Sequence, residues 1–411
     1  MSDDLHQTGS LVVDTNSTQD SLSQVTRKYF ETHYGSPAEF LVRAPGRVNI
    51  IGEHTDYNGG FVFPAAINYY TYVAVSKRHD SIVNVVARDW SGEVDHIDLT
   101  KPMHFDEARM WPNYIRGVVE QLQKRNYPLQ GCDLVVSGNV PQGAGLSSSA
   151  ALEVGIAKAL THASGITLTP LELAQIGQDA ENQFVNCACG IMDQLISTSG
   201  VEGHAVMIDC RNFETQSVPL PPSYEIIIIN SSVQRGLVDS EYNQRRAQCE
   251  TAAAHYGVDL LRQVSVEQLH VQRGDLDDVS FKRAKHVVEE NARVLEMVEC
   301  LRSSEHGKLF QLMHDSHESM RSLFEITVPA IDFLVELVAK TLDGEGGVRM
   351  TGGGFGGCVV ALVPVNKVAQ VKAAVEANYF NETGLKEVIY TARASAGVVV
   401  LSTGFSADGV G

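Results

Sequence analysis

A glycine-rich loop, Met350-Thr-Gly-Gly-Gly-Phe-Gly-Gly357, runs directly into the apolar stretch Cys358-Val-Val-Ala-Leu-Val363. Gly352, Gly354 and Gly357 satisfy Gly-x-Gly-x-x-Gly in form. That dinucleotide fingerprint must follow a strand and open a helix, whereas a strand follows this loop. The match is accidental in form, although the loop can still line a nucleotide. A second glycine loop has the opposite sense. Gly143-Ala-Gly-Leu-Ser-Ser-Ser149 opens an alanine-rich helix that runs to about Ala163. The spacing Gly-x-x-x-x-Gly-Lys-Ser/Thr is absent, which excludes a P-loop NTPase.

Elsewhere strands and helices alternate without regular βαβ spacing, which predicts an α+β fold with mixed sheets and helices. Helices are expected from near Ser21, over Glu107 to Lys124, and from Pro170 to about Val185. Strands are expected over Phe40 to Ala44 and Ala392 to Leu401. At 411 residues the chain is too long for one small core, and two domains are expected. Pro219-Leu-Pro-Pro222 marks the boundary. The reading is a flexible extension over 1–20, a first domain over 21–219 and a second over 220–411. The last strand is expected to return to the first domain.

The net charge of -18, with no run of Lys and Arg, argues against a nucleic-acid partner. Seven scattered cysteines suggest thiols in a reducing compartment rather than a disulfide framework. The start of the sequence has no basic segment followed by an apolar one, so no signal peptide is expected. No window approaches the roughly 20 apolar residues of a membrane span. The expectation is a cytoplasmic protein with no membrane association and no evident protein partner. Cys187-x-Cys189 and His314-x-x-His317 lack further ligands at metal-site spacing.

Three stretches carry chemistry. In "GRVNIIGEHTDYNGG", residues 46–60, Arg47, Glu53, His54 and Asp56 crowd around the apolar Val48, Ile50 and Ile51. This is either an exposed charged turn or a grip on a small polar molecule. The loop over Gly143, Ala144, Gly145, Leu146, Ser147, Ser148 and Ser149 sits at a helix mouth. Unpartnered N–H groups and a positive dipole there suit a phosphate; the plainer alternative is a serine N-cap. In "NCACGIMDQLIS", Asp193 is a carboxylate among small and apolar residues, either an N-cap or a working group. Glu181 upstream is either a surface ion pair or an oxygen ligand for magnesium.

Together these stretches resemble the galactokinases of the GHMP small-molecule kinase superfamily, over roughly residues 20 to 400. "GRVNIIGEHTDYNGG" is similar to the galactokinase signature, "VPQGAGLSSSAA" to the superfamily ATP loop, and "MTGGGFGGCVVAL" to its third motif. "NCACGIMDQ", "SEYNQRRAQCE" and "AKHVVEENARV" are family-like. The resemblance implies a two-domain GHMP kinase fold with the active site between the domains. It implies ATP-dependent phosphorylation of galactose at its anomeric hydroxyl, with Mg2+. Asp193 matches the catalytic aspartate and Arg47 the arginine beside the reacting oxygen. Glu53, His54, Asp56, Gly190 and Tyr242 match positions that hold sugar hydroxyls. Gly143 to Ser149 match the triphosphate loop, Ser149 and Glu181 lie near magnesium, and Trp111 and Tyr114 fall where adenine binds.

An arginine beside a carboxylate weakens it as a base, so Asp193 reads as base or as positioner. N-acetylgalactosamine kinases share these motifs. Catalytically silent galactose sensors of the family differ in the serine loop, which is intact here. Ser322-Leu-Phe-Glu-Ile-Thr327 departs from the usual acidic residue and tyrosine before Glu-Val-Ser, and is read as helix packing. The extension at the start of the chain lacks an obvious counterpart.

Overall fold

The computed structural model describes residues 15–187, 189–234 and 238–402. Of the flexible extension expected over 1–20, residues 1–14 lie outside them, and residues 15–20 are helical rather than loose. Helix α1 spans Thr15–Tyr34 and so starts before Ser21. Thr, Ser, Asn and Asp are weak helix formers, which hides this start from composition. The packed later turns, with Phe30 buried in a cluster with Leu41 and Tyr72, carry the helix upstream.

Strands β1 (Phe40–Asn49), β2 (Phe61–Val62), β3 (Pro64–Lys77), β4 (Ile82–Ala87) and β5 (Glu93–Asp98) follow. Helix α2 (Trp111–Lys124) begins four residues later than expected, because Asp106 Oδ1 accepts from the N–H groups of Ala108 and Arg109. That local turn competes with helix, and Pro112 then suits the first helical turn. Next come β6 (Cys132–Gly138), α3 (Ser148–Ala163) and α4 (Pro170–Asp179). A capping box between Thr169 and Glu172 starts α4. The helix then widens into a π-turn over Ala180–Phe184, with Val185 N bonded to Ala180 O at 3.1 Å. Helix α5 (Met192–Ser199) and strands β7 (His204–Asp209) and β8 (Glu214–Pro219) complete this half.

Beyond Pro222 lie β9 (Tyr224–Asn230), α6 (Val238–His255), α7 (Val266–Val271), α8 (Asp278–Ser303), α9 (His306–Ser319) and α10 (Pro329–Leu342). Then come β10 (Gly347–Thr351), β11 (Cys358–Pro364), α11 (Val368–Thr383), β12 (Val388–Ala392) and β13 (Val399–Ser402). The single strand expected over Ala392 to Leu401 is therefore two. They join different sheets: β12 pairs with β9, and β13 crosses back to pair with β1.

The sheets run β13-β1-β3-β6-β4-β5, β10-β11-β9-β12 and β2-β7-β8. Every named pairing is antiparallel except β4 with β6. Mixed sheets with helices make the fold α+β, as the element spacing predicts. Among the described residues no helix is long and apolar enough to cross a membrane.

Two features place the site. First, β1 does not stop at Ala44. Its register against β3 shifts between Pro45 and Arg47, since Pro45 has no N–H to give the ladder. A Cβ at Gly46 would lie 2.7 Å from Leu146 O, so only glycine lets the serine loop dock there. Arg47 N then donates to Leu146 O at 3.1 Å. Second, one buried cluster unites Val48, Ile50 and Ile51 with Ile226, Ile228 and Val360 of the other half. The apolar run inside the charged signature is the joint between the halves.

Candidate active site

One cavity is lined by Arg47, Glu53, His54, Asp56, Gly190, Asp193 and Tyr242. The structure brings together every residue that the resemblance matches to the reacting centre and the sugar. Cys189, Met192, Gly352 and Gly353 also line it, although the sequence reading did not assign them. The third glycine motif was a signal for Gly352 and Gly353; Cys189 and Met192 flank assigned residues.

Asp193 sits in the first turn of α5 and caps nothing. Its Oδ1 accepts from Arg47 Nε and its Oδ2 from Arg47 Nη2, both at 2.7 Å. Ser147 Oγ donates a third hydrogen bond, to Oδ2. Ser147 is the residue before α3, with φ of 59°, yet its side chain makes no capping bond. The ordinary N-cap reading of this serine therefore fails: its hydroxyl serves Asp193. Arg47 Nη1 also donates to Gly145 O, so the guanidinium clamps carboxylate and serine loop together. Three of its five donors are used, which leaves two without a bond to Asp193 or to Gly145.

The turn after β1 presents the rest. His54 has φ of 60° and its Nδ1 lies 2.9 Å from Tyr57 Oη. Burial and the neighbouring His286 lower its pKa to about 3, so the ring is neutral. Its Nε2 is buried and makes no well-aligned hydrogen bond, with the Gly353 backbone beside the ring as a weak partner. Burial, then the charges of Asp193 and Glu53, raise the Asp56 carboxyl to about 6. A Cβ at Gly190 would stand 2.1 Å from Asp56 Oδ2, so any side chain there would push the Asp56 carboxylate aside. Tyr242 of α6 lies edge-on to Tyr57 at 5.5 Å.

Glu53 is more committed than its place in the signature suggests. Its Oε1 accepts from Thr351 Oγ1 and Gly352 N at 2.9 Å, and from Arg349 Nη1 at 3.4 Å. Its Oε2 accepts from Asn49 Nδ2 at 3.0 Å, leaving one acceptor position on that oxygen.

A second cavity adjoins the serine loop. Ser148, Ser149 and Gln142 line it together with Trp90, Met110, Trp111 and Tyr114. Trp111 points its indole Nε1 at Glu93 Oε2, 2.7 Å away, and turns its ring to the cavity. Trp90 and Met110 went unassigned; both are exposed apolar side chains in the structure, and no local sequence pattern marks them. Ala144 and Leu146 pack into the core, so only their backbone faces a ligand. Ala144 O also accepts from Cys358 Sγ at 2.9 Å, which ties the loop to β11.

Beside the loop, Ser149 lies close enough to Glu181 to favour the charged form of its carboxyl slightly. Gln194 Nε2 donates to Glu181 Oε2 at 2.7 Å and to Glu153 Oε2 at 3.0 Å. Glu181 has its pKa raised by burial and by Asp193, Glu153 by burial and by Glu181. Glu153 Oε1 is buried without a partner. Three crowded carboxylates and a hydroxyl are a hard-oxygen set, and a divalent cation would offset their repulsion. Among the described residues no group of three His, Cys, Asp or Glu is placed to hold a metal by itself. Magnesium fits such a sparse set, because it takes one or two carboxylates and completes its shell with water and phosphate oxygens.

Comparison with known proteins accords with this geometry. The galactokinase galactose-binding signature matches residues 28–77. The GHMP kinase N-terminal domain matches 113–201 and the GHMP kinase C-terminal domain matches 297–381. Galactokinase from Lactococcus lactis, solved in complex with galactose, is 33% identical, with a TM-score of 0.87. The match covers 92% of this chain and 99% of that one. Mevalonate kinase of Methanococcus jannaschii shares the fold at 18% identity and a TM-score of 0.60, over 87% of this chain and 98% of its own. Homoserine kinase from Cytophaga hutchinsonii does so at 16% identity and 0.58, over 88% and 97%.

Proposed function

The chain belongs to the galactokinase family of the GHMP kinases, and on that footing we infer that it transfers the γ-phosphoryl group of ATP to the anomeric hydroxyl of galactose. The products are galactose 1-phosphate and ADP. One observation carries the reading: the Arg47–Asp193 pair stands where the polar cavity meets the serine loop of the second cavity.

Galactose occupies the first cavity. Asp56, His54, Tyr242 and the open position on Glu53 Oε2 meet its hydroxyls, and Gly190 leaves room beside Asp56. A site built this way rejects sugars with a missing or inverted hydroxyl, because its own buried groups would go unpaired. ATP lies with its base among Trp111, Tyr114 and Trp90 and its phosphates along Gly143 to Ser149, whose first-turn N–H groups suit them. Glu181 and Ser149 would hold Mg2+, which would neutralise phosphate charge when bound.

Asp193 has about four acceptor positions and three donors already on it. The fourth, on Oδ1, takes the anomeric hydroxyl and aims its oxygen. The two remaining Arg47 donors meet the charge that spreads over the transferring group. With a loose transition state the proton leaves late. Orientation is thus the first role of Asp193 and proton acceptance the second.

We divide the chain into domains over 21–219 and 220–411, with β13 added to the first. We place the protein in the cytoplasm, since seven cysteines without a disulfide suit a reducing compartment.

The test is ADP release with Mg-ATP and galactose, N-acetylgalactosamine or glucose offered separately. Fast release with galactose is expected. Release mainly with N-acetylgalactosamine would move the substrate, and none with any sugar despite galactose binding would sink the enzyme reading.

The Asp56 carboxyl gives a pH signature. It is an acid raised to about 6, so it is ionised above that pH and protonated below. Protonation removes an acceptor from the sugar site. The kcat/KM for galactose, at saturating ATP, should fall with pH below about 6, approaching tenfold per unit. Asp56→Asn should remove that inflection and lower the plateau. A profile identical in the wild type and the variant would contradict this role.

A further inference from the structure

The sugar-binding turn is held from behind by a helix that lines neither cavity. Glu290, fully buried in α8, accepts through Oε1 from Gly52 N at 3.0 Å and Glu53 N at 3.4 Å. Ser316 Oγ reaches the same oxygen at 2.6 Å, and Arg293 Nε binds Oε2 at 2.6 Å. One turn earlier on α8, His286 Nε2 lies 3.1 Å from Glu53 O, with Nδ1 2.8 Å from Ser319 Oγ. A carbonyl only accepts, so Nε2 carries the ring proton and Nδ1 accepts from Ser319. Just after Glu290, Asn291 Oδ1 takes Phe61 N at 2.8 Å. Three side chains of one helix thus grip both ends of the segment that carries Glu53, His54 and Asp56.

We propose that His286, Glu290 and Asn291 are positioning residues for the sugar, which set selectivity among hexoses by fixing the turn's backbone without touching the substrate. The proposal rests on the reading of the first cavity as the sugar site. Its physical basis is that no water reaches these buried N–H groups, so their position follows the acceptors that α8 supplies. A displacement of about 1 Å in such a turn is enough to cost on the order of a hundredfold in rate.

The experiment compares His286→Leu with His286→Gln, whose amide N–H can still reach Glu53 O. The expected result for His286→Leu is a galactose KM raised about tenfold or more, an ATP KM within about twofold, and a reduced preference for galactose over glucose. His286→Gln should recover most of the loss. Should His286→Leu fail to fold, Asn291→Leu tests the other end of the turn with the same readouts. The proposal is overturned if the KM values for sugar and ATP rise together, or if a folded variant keeps its galactose KM and hexose preference. The wild type separates this failure from that of the substrate reading: if it prefers another sugar, the substrate reading fails and the same split is read on that sugar.

Discussion

Asp193→Asn is expected to lower kcat for galactose by about a thousandfold, the range for loss of a positioned proton acceptor, while the protein stays folded. The change is isosteric. It places an amide N–H₂ against the Arg47 fork, where both carboxylate oxygens now accept at 2.7 Å. One arm of the fork loses its acceptor, Arg47 swings off the junction, and the charge on the transferring group goes unmet. The galactose KM should move far less, because Asp56, His54 and Tyr242 remain in place. The measurement is ADP release at saturating substrates, with thermal unfolding run alongside. Residual turnover within about tenfold of wild type would exclude an essential base and leave orientation as the whole role. An equal collapse of folding would show instead that the Arg47–Asp193 pair is structural.

Arg349→Met should cost about 3–5 kcal/mol of stability, as expected when one partner of a buried ion pair is removed. Arg349 is fully buried. Its Nη1 reaches Ile50 O at 3.0 Å, and Asn49 O and Glu53 Oε1 at 3.4 Å. Methionine fills the space but takes the donor from buried Ile50 O and the cation from Glu53, while Asn49 O keeps Thr351 Oγ1 at 3.0 Å. Chemical denaturation measures the loss. The double variant with Glu53→Gln should recover part of it, since the uncompensated charge is then gone; the cycle separates charge from volume. A single-variant loss below about 1 kcal/mol would mean that Thr351 and Gly352 suffice to hold Glu53. The effect should extend to function, because Glu53 joins the sugar turn to the third glycine loop.

Much of the site was legible because its parts are local strings. Two glycines and three serines before an apolar run state a helix mouth open to an anion, and they do so without help from the rest of the chain. Asp193 after Gly190 was legible as an odd carboxylate in an apolar setting. Tyr242 was not; a tyrosine in a polar helix carries no mark, and only the family resemblance named it. The fold was legible in class more than in boundaries. Pro45 and Gly46 look like a strand end but form a bulge inside β1, because β3 continues the pairing on either side. The run after Ala392 looks like one strand, yet two different sheets claim its ends.

The use of each polar group was decided elsewhere. Glu53 reads as a sugar ligand, but Thr351, Gly352 and Arg349 take most of its lone pairs from about 300 residues away in the chain. Ser147 reads as part of a phosphate cradle or as a cap, but its hydroxyl goes to Asp193. Glu181 reads as a surface carboxylate, but the π-turn sets it against Gln194 in a buried place. His286 and Glu290 stand in a stretch marked as family-like but with no role attached, and Arg349 carries no local pattern. By itself, then, the sequence determined which chemical groups the protein owns and which backbone turns they ride on, since helix mouths, glycine turns and apolar runs are short-range matters. Only the tertiary structure decided which lone pairs and N–H groups remain for a substrate. A buried polar group is claimed by whichever partner the fold brings within about 3 Å, and that partner's distance along the chain has no bearing on the claim.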